Sequence, residues 1–157
     1  MHQSSVTIRQ ATEADAARLH ELHTKSVRGL CSGHYTAEVI HGWLVNRSLH
    51  GYLPAIKRGE IFVAEHDSTV VGFGEAAEGT IRAVYVDPTS AKRGVGKALL
   101  HHALEIAGPR HVVVIRLEAT LNAVGFYERF GFHARKQINV HRGSVAVPCI
   151  LMERNRT

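Results

Sequence analysis

The stretch of this 157-residue chain with the types and spacing for chemistry is Lys92-Arg93-Gly94-Val95-Gly96-Lys97. Two glycines without Cβ atoms let a ligand approach the backbone, and three cations surround them. Ile81, Ala83, Val84, Tyr85 and Val86 upstream suit a buried strand, Asp87-Pro88 ends it, and an apolar helical pattern opens at Gly94. The first N–H groups of a helix have no intrahelical partners and point at whatever lies before them. The stretch therefore reads as an anion site, and the expected ligand is a phosphorylated cofactor.

Two commoner glycine loops are excluded. A Walker A loop needs Ser or Thr after Gly-Lys and a glycine five residues before it, but Ala98 follows Lys97 and residue 91 is Ala. A dinucleotide fingerprint needs a third glycine where Leu99 stands. The 12 histidines include no His-Glu-x-x-His, and adjacent His101 and His102 face different ways on a helix, so no metal site is expected. Cys31 and Cys149 lack Cys-x-x-Cys spacing and read as core or free thiols.

The elements that must position this turn follow from periodicity. A strand over 6–9 leads through Thr12-Glu13-Ala14-Asp15, a capping-box pattern, into a helix with Ala16, Leu19, His23, Val27 and Leu30 on one arc. His23 on that arc reads as a core-side histidine. Thr36 caps a second helix carrying Val39, Ile40, Trp43 and Leu44. A hairpin over 60–65 and 70–75 precedes the strand at 81–86. The helix over 94–107 leads to an apolar strand over 111–117, expected to be buried and parallel to it because a helix joins them. A short helix at Asn122 ends at Gly131, and strands over 132–140 and 145–152 close the chain around Arg142-Gly143. Pro148, which has no N–H, implies a bulge or a locally unpaired edge. The order β-α-α-β-β-β-α-β-α-β-β describes one mixed α/β domain over residues 1–157.

Hydrophobic content of 45% and charged content of 21% are ordinary for a globular protein. No apolar run approaches a membrane span and no signal segment is recognisable, so a cytoplasmic location is expected. Nineteen basic against 14 acidic residues give a net charge of +5. The cations form no long run interleaved with aromatics, so nucleic acid is not expected as a partner; several phosphate charges on a cofactor account for part of the excess.

The segment Val86-Asp87-Pro88 through Arg93-Gly94-Val95-Gly96 to Leu99-Leu100 resembles the pyrophosphate-binding segment of the Gcn5-related N-acetyltransferases, the GNAT family. Ala119-Thr-Leu-Asn122-Ala-Val-Gly-Phe126-Tyr127-Glu-Arg-Phe130-Gly131-Phe132 resembles the later signature of the same family, in the same order. The resemblance spans nearly the whole chain. It implies the acyl-CoA N-acyltransferase fold, with central parallel strands that splay apart, and acetyl-CoA (coenzyme A) as cofactor.

Residue by residue, the resemblance places pantetheine against Val84, Tyr85 and Val86, pyrophosphate on Lys92, Arg93, Gly94, Val95, Gly96 and Lys97, and the pantetheine arm beside Asn122. Tyr127 matches the tyrosine that protonates the leaving thiolate. The first two helices and the segment to Gly59 correspond to the acceptor wall, making His34, Tyr35, Trp43 and Tyr52 candidate acceptor contacts. Two positions depart from the pattern: Ala91 replaces a Gln or Arg, and Thr80 stands where many members place a glutamate base. Glu75 is then the candidate base, beside a water relay. The implied activity is transfer of an acetyl group to a primary amine of a small molecule or protein. A catalytically degenerate acyl-CoA-binding module and an aminoacyl-tRNA acetyltransferase are the alternatives. The acceptor, and whether the chain is a monomer or homodimer, stay open.

Overall fold

The computed structural model describes residues 6–90 and 94–157. Lys92 and Arg93, expected at the anion turn, lie outside the described residues. The described residues form seven strands in one sheet, ordered β1-β2-β3-β4-β5-β7-β6: β1 Thr7–Gln10, β2 Ile61–His66, β3 Thr69–Ala77, β4 Thr80–Val86, β5 Val114–Thr120, β6 His133–Arg142 and β7 Val145–Asn155. One face carries α4 (Val95–Ala107) and α5 (Val124–Glu128). The other carries α1 (Ala16–Leu30), α2 (Ala37–Leu44) and the short α3 (Leu53–Lys57), which the sequence pattern did not reveal. No helix among the described residues is long and apolar enough to cross a membrane.

Leu99, Leu100 and Ala103 of α4 are fully buried against Phe62, Ile81, Ile115, Leu117 and Met152 of the sheet. Each large side chain contributes about 1.5–3 kcal/mol by leaving water. Gly72 on β3 sets how close α4 can come: a Cβ there would lie 2.9 Å from Leu99 Cδ1 and 2.9 Å from the Tyr85 carbonyl oxygen. On the other face, Leu19, Leu22 and Val27 of α1 are wholly buried. Asp15 ties the start of this helix down, accepting from the Thr12 N–H at 2.8 Å and pairing with Arg9 at 2.8 Å.

Two local expectations need correction, and a third resolves to one of its alternatives. The strand expected at 111–117 runs from Val114, because Val112 N–H closes a turn on Pro109 at 2.9 Å and Val113 is 75% exposed. It is not a continuous buried run: Arg116 and Glu118 are exposed between buried Ile115, Leu117 and Ala119. Pro148 sits on β7, between β5 and β6, but β5 ends opposite Cys149, so at Pro148 only β6 is paired. A locally free edge, not a bulge, accommodates it.

Candidate active site

β4 and β5 run parallel, yet only Thr80 with Arg116 and Ile81 with Leu117 pair. Beyond Ile81 the strands part. The ladder with β3 shifts between Glu75 and Ala76, so Ala83 faces Glu75 and Ile81 faces Ala76, leaving Arg82 as the extra residue. After this bulge Asp87 N–H donates to the Val71 carbonyl at 2.8 Å. In an alternating strand Asp87, Tyr85 and Ala83 therefore turn their backbone groups to β3, and Val84 and Val86 turn theirs into the gap. The gap is thus edged by backbone donors and acceptors without a ladder partner, a template for an extended ligand bearing amides.

A cavity of about 750 Å³ occupies the gap and is lined from both faces of the sheet. On the α4 side it is lined by Gly94, Gly96 and Lys97. Gly94 takes the left-handed conformation, φ 81°, which turns the chain into α4. The Gly94 carbonyl accepts from Ala98 N–H at 3.0 Å, so the N–H groups of Val95, Gly96 and Lys97 precede the first intrahelical bond and face the cavity end. The Val95 side chain is buried beneath the helix, so only its backbone serves the site. The approach to the turn is anchored by Asp87, which accepts from Thr89 N–H at 3.0 Å and Thr89 Oγ1 at 2.8 Å and pairs with Arg18 at 3.3 Å.

Asn122 and Tyr127 line the same cavity from β5's far end. Asn122 lies within a 3-10 turn, Leu121–Ala123, and does not cap α5, whose N-cap is Ala123. Its Oδ1 accepts from the Cys31 thiol at 3.3 Å, which leaves the amide N–H groups for a ligand carbonyl. The Tyr127 ring is 7% exposed and packs on Phe126 and Phe132. Its hydroxyl makes no hydrogen bond among the described residues, and burial pushes the phenol well up, so it stays protonated.

On the α1 side the lining comprises Ser26, Leu30, Cys31 and His34 with Arg82, Tyr85 and Glu118. His34 is exposed at the rim, in the region expected to meet an acceptor. Tyr35 and Trp43 are corrections. Tyr35 is 8% exposed; its hydroxyl donates to the Pro148 carbonyl and accepts from Leu121 N–H at 3.0 Å, tying the Asn122 turn to β7. Trp43 is 1% exposed, stacked edge-on to Tyr35 in the core beneath α2. Tyr52 is equally buried, hydrogen-bonded to His23 and Arg47. Tyr85 lines the cavity through its side chain only, its ring lying 4.1 Å from that of His23.

Glu75 is also displaced from its expected role. It sits on β3, a strand away from the gap, outside the cavity lining and 3.5 Å from Arg82 Nη1. Burial pushes its carboxyl up, against the pull of the Arg82 guanidinium. The carboxylate that lines the cavity among the described residues is Glu118, which projects from β5 between buried neighbours. Sequence reasoning missed it, although the alternation Ile115-Arg-Leu-Glu-Ala119 carries the signal. Thr80 pairs at the closed base of β4 and does not line the cavity. Cys31, buried beside Cys149, is pushed up to about 11 and remains a thiol at neutral pH.

The comparisons with known proteins agree with this geometry. The family described as "Acetyltransferase (GNAT) domain" matches residues 21–152. The uncharacterized N-acetyltransferase YafP of Escherichia coli is 27% identical over 138 residues, 87% of each chain. The crystal structure of a GCN5-related N-acetyltransferase from Rhodopseudomonas palustris superposes with a TM-score of 0.88 at 23% identity, covering 99% of this chain and 98% of that one. The PaiA N-acetyltransferase of Thermoplasma acidophilum, solved with coenzyme A, superposes with a TM-score of 0.77 at 27% identity, covering 96% and 99%. With the splayed strands, the helix start and the second signature in place, this chain belongs to the GNAT family of N-acetyltransferases, enzymes that take their acetyl group from acetyl-CoA.

Proposed function

We propose that the protein acetylates the primary amine of a small acceptor by direct attack within a ternary complex. The observation that carries this reading is the cavity in the β4–β5 gap, lined by residues from both faces of the sheet. Such a gap lets two substrates meet from opposite sides. The α4 side fits acetyl-CoA: the backbone of Val84 and Val86 suits the pantetheine amides, Asn122 the same arm, and the N–H groups from Val95 to Lys97 the pyrophosphate. Acetyl-CoA supplies an activated thioester there.

The residues on the α1 side handle the amine. An alkylammonium with a pKa of about 10.4 must lose its proton before the nitrogen attacks, at about 4–5 kcal/mol at neutral pH. Glu118 is the carboxylate placed to receive it, directly or through water. A C–N bond then forms, the C–S bond breaks, and the sulfur takes up a proton. In this reading the Tyr127 hydroxyl, held protonated by burial and without a partner among the described residues, supplies it or hydrogen-bonds the departing sulfur. A covalent acetyl-cysteine route is disfavoured because burial pushes the Cys31 thiol up to about 11, which keeps it protonated at neutral pH.

The test combines coenzyme A titration calorimetry with thiol release from acetyl-CoA across an amine panel. Amine-dependent release, with no acetyl group retained on the enzyme by mass spectrometry, supports the reading. Tight coenzyme A binding with no release for any amine instead identifies a cofactor-binding module without catalysis.

A further inference from the structure

Where β5 ends, its ladder with β7 is interrupted by a side chain from another part of the chain. The register runs from Val114 opposite Asn155 to Thr120 opposite Cys149, so the next pair in step is Leu121 with Pro148. The Tyr35 hydroxyl stands in that place: it accepts from Leu121 N–H at 3.0 Å and donates to the Pro148 carbonyl. One oxygen thus takes the place of a direct rung, gives both backbone groups a partner and lets the chain leave the sheet at Leu121. The 3-10 turn that carries Asn122, Leu121–Ala123, begins at that residue.

A second contact from the same loop reaches the Asn122 side chain itself. Cys31 ends α1, and its carbonyl accepts from His34 N–H at 2.9 Å and from Tyr35 N–H at 3.2 Å, which closes the start of the α1–α2 loop into one tight turn. The Cys31 thiol donates to Asn122 Oδ1 at 3.3 Å. A side-chain amide can offer a ligand either its oxygen or its NH2, and with the oxygen held by the thiol the NH2 is the end left to donate. Both Cys31 and Tyr35 are buried; Cys31 lines the cavity beside Asn122, and Tyr35 lies behind it. Tyr35 therefore sets the backbone of the turn, and Cys31 sets which way its amide faces.

We propose that Cys31 and Tyr35 are positioning residues for coenzyme A, acting through Asn122 to hold an amide N–H toward a carbonyl of the pantetheine arm. This rests on the reading that places that arm beside Asn122. A thiol is a weak donor, but its part is to choose between two amide orientations, of which one offers the arm's carbonyl a donor and the other an oxygen. The loop that presents His34 at the acceptor rim thus also shapes the cofactor half of the site.

The experiment compares, by calorimetry, coenzyme A with 3′-phosphoadenosine 5′-diphosphate, its nucleotide half without the pantetheine arm. Tyr35→Phe is expected to weaken coenzyme A at least about fivefold and Cys31→Ala about three- to tenfold, while Cys31→Ser, which keeps a donor, stays within about twofold of wild type. The nucleotide half should bind all three variants within about twofold of wild type, because its contacts are at the α4 start. In an Asn122→Ala background, Cys31→Ala should weaken coenzyme A no further, since the group it acts through is gone. Tyr35→Phe also takes a partner from two backbone groups and should lower the melting temperature; the nucleotide half separates that general effect from a loss specific to the arm. Unchanged coenzyme A affinity in either single variant removes that residue from the role, and in both it overturns the inference, as does equal weakening of the two ligands. If Asn122→Ala itself leaves coenzyme A affinity unchanged, the placement of the arm beside Asn122 fails and the inference with it, while amine-dependent thiol release still upholds the transferase reading.

Discussion

Removing one oxygen atom, in Tyr127→Phe, separates chemistry from packing at this site. The hydroxyl has no partner among the described residues, while the ring is 7% exposed and packed on Phe126 and Phe132. Phenylalanine keeps every ring contact and removes an unpaired polar group, so the melting temperature should not fall. In the proposed binding mode pantetheine and pyrophosphate lie on Val84, Val86, Asn122 and the α4 start, so coenzyme A affinity should also hold. What is lost is a bond to sulfur as it gains charge. Hydrogen bonds to charged groups contribute about 1.5–3 kcal/mol, so kcat should fall by about 10–150-fold. Because burial raises the phenol above its ordinary range, the wild-type donor stays protonated through neutral and mildly alkaline pH. Its loss by ionisation can therefore limit kcat only above about pH 10. The assay is kcat, coenzyme A Kd and melting temperature on the one variant, with rapid mixing to establish that chemistry limits turnover. A kcat within twofold of wild type under that condition refutes the acid role. A melting temperature several degrees lower would instead assign the hydroxyl to structure.

Four further outcomes are expected. Gly96→Asp places a carboxylate beside Phe126, 3.4 Å from the would-be Cβ, and Gly94→Asp adds strain at φ 81°; both should weaken coenzyme A binding at least tenfold by calorimetry, more than Lys97→Ala does. Trp43→Phe should lower the melting temperature while leaving acceptor KM unchanged, since the ring is core; a selective rise in KM would return Trp43 to the acceptor wall. Gly143→Ala drives a Cβ to 2.1 Å from the Gly42 carbonyl oxygen at a position with φ 54°, so it should destabilise the fold by about 1–3 kcal/mol in urea unfolding and raise acceptor KM as the hairpin leaves α2. The Arg9 hydrogen bond holds the Asp15 carboxyl below its usual range, so the stability it contributes is present above about pH 4 and lost as pH falls through the lower folded value; Asp15→Asn should flatten this part of an acid-unfolding curve.

What the amino-acid sequence determined by itself was the cofactor half of the site. A strand ended by Asp87-Pro88, a glycine able to take φ 81° and a run of unpaired N–H groups at a helix start are local properties. Each is set within about ten residues, whatever the rest of the chain does. The same holds for Thr36 capping α2, whose side chain accepts from Val39 N–H at 3.2 Å. The acceptor half was not local. Glu75 and Glu118 are both single carboxylates in apolar strands, and only strand order tells them apart: β5 borders the gap and β3 does not. The bulge at Arg82 decides which backbone groups of β4 face the gap, and it exists only in register with β3. Tyr35 and Trp43 carry rings equally suited to a substrate wall or a core, and packing of α2 on β7 puts them inside. A side chain's role there depends on its neighbours across the sheet, which no stretch of sequence contains.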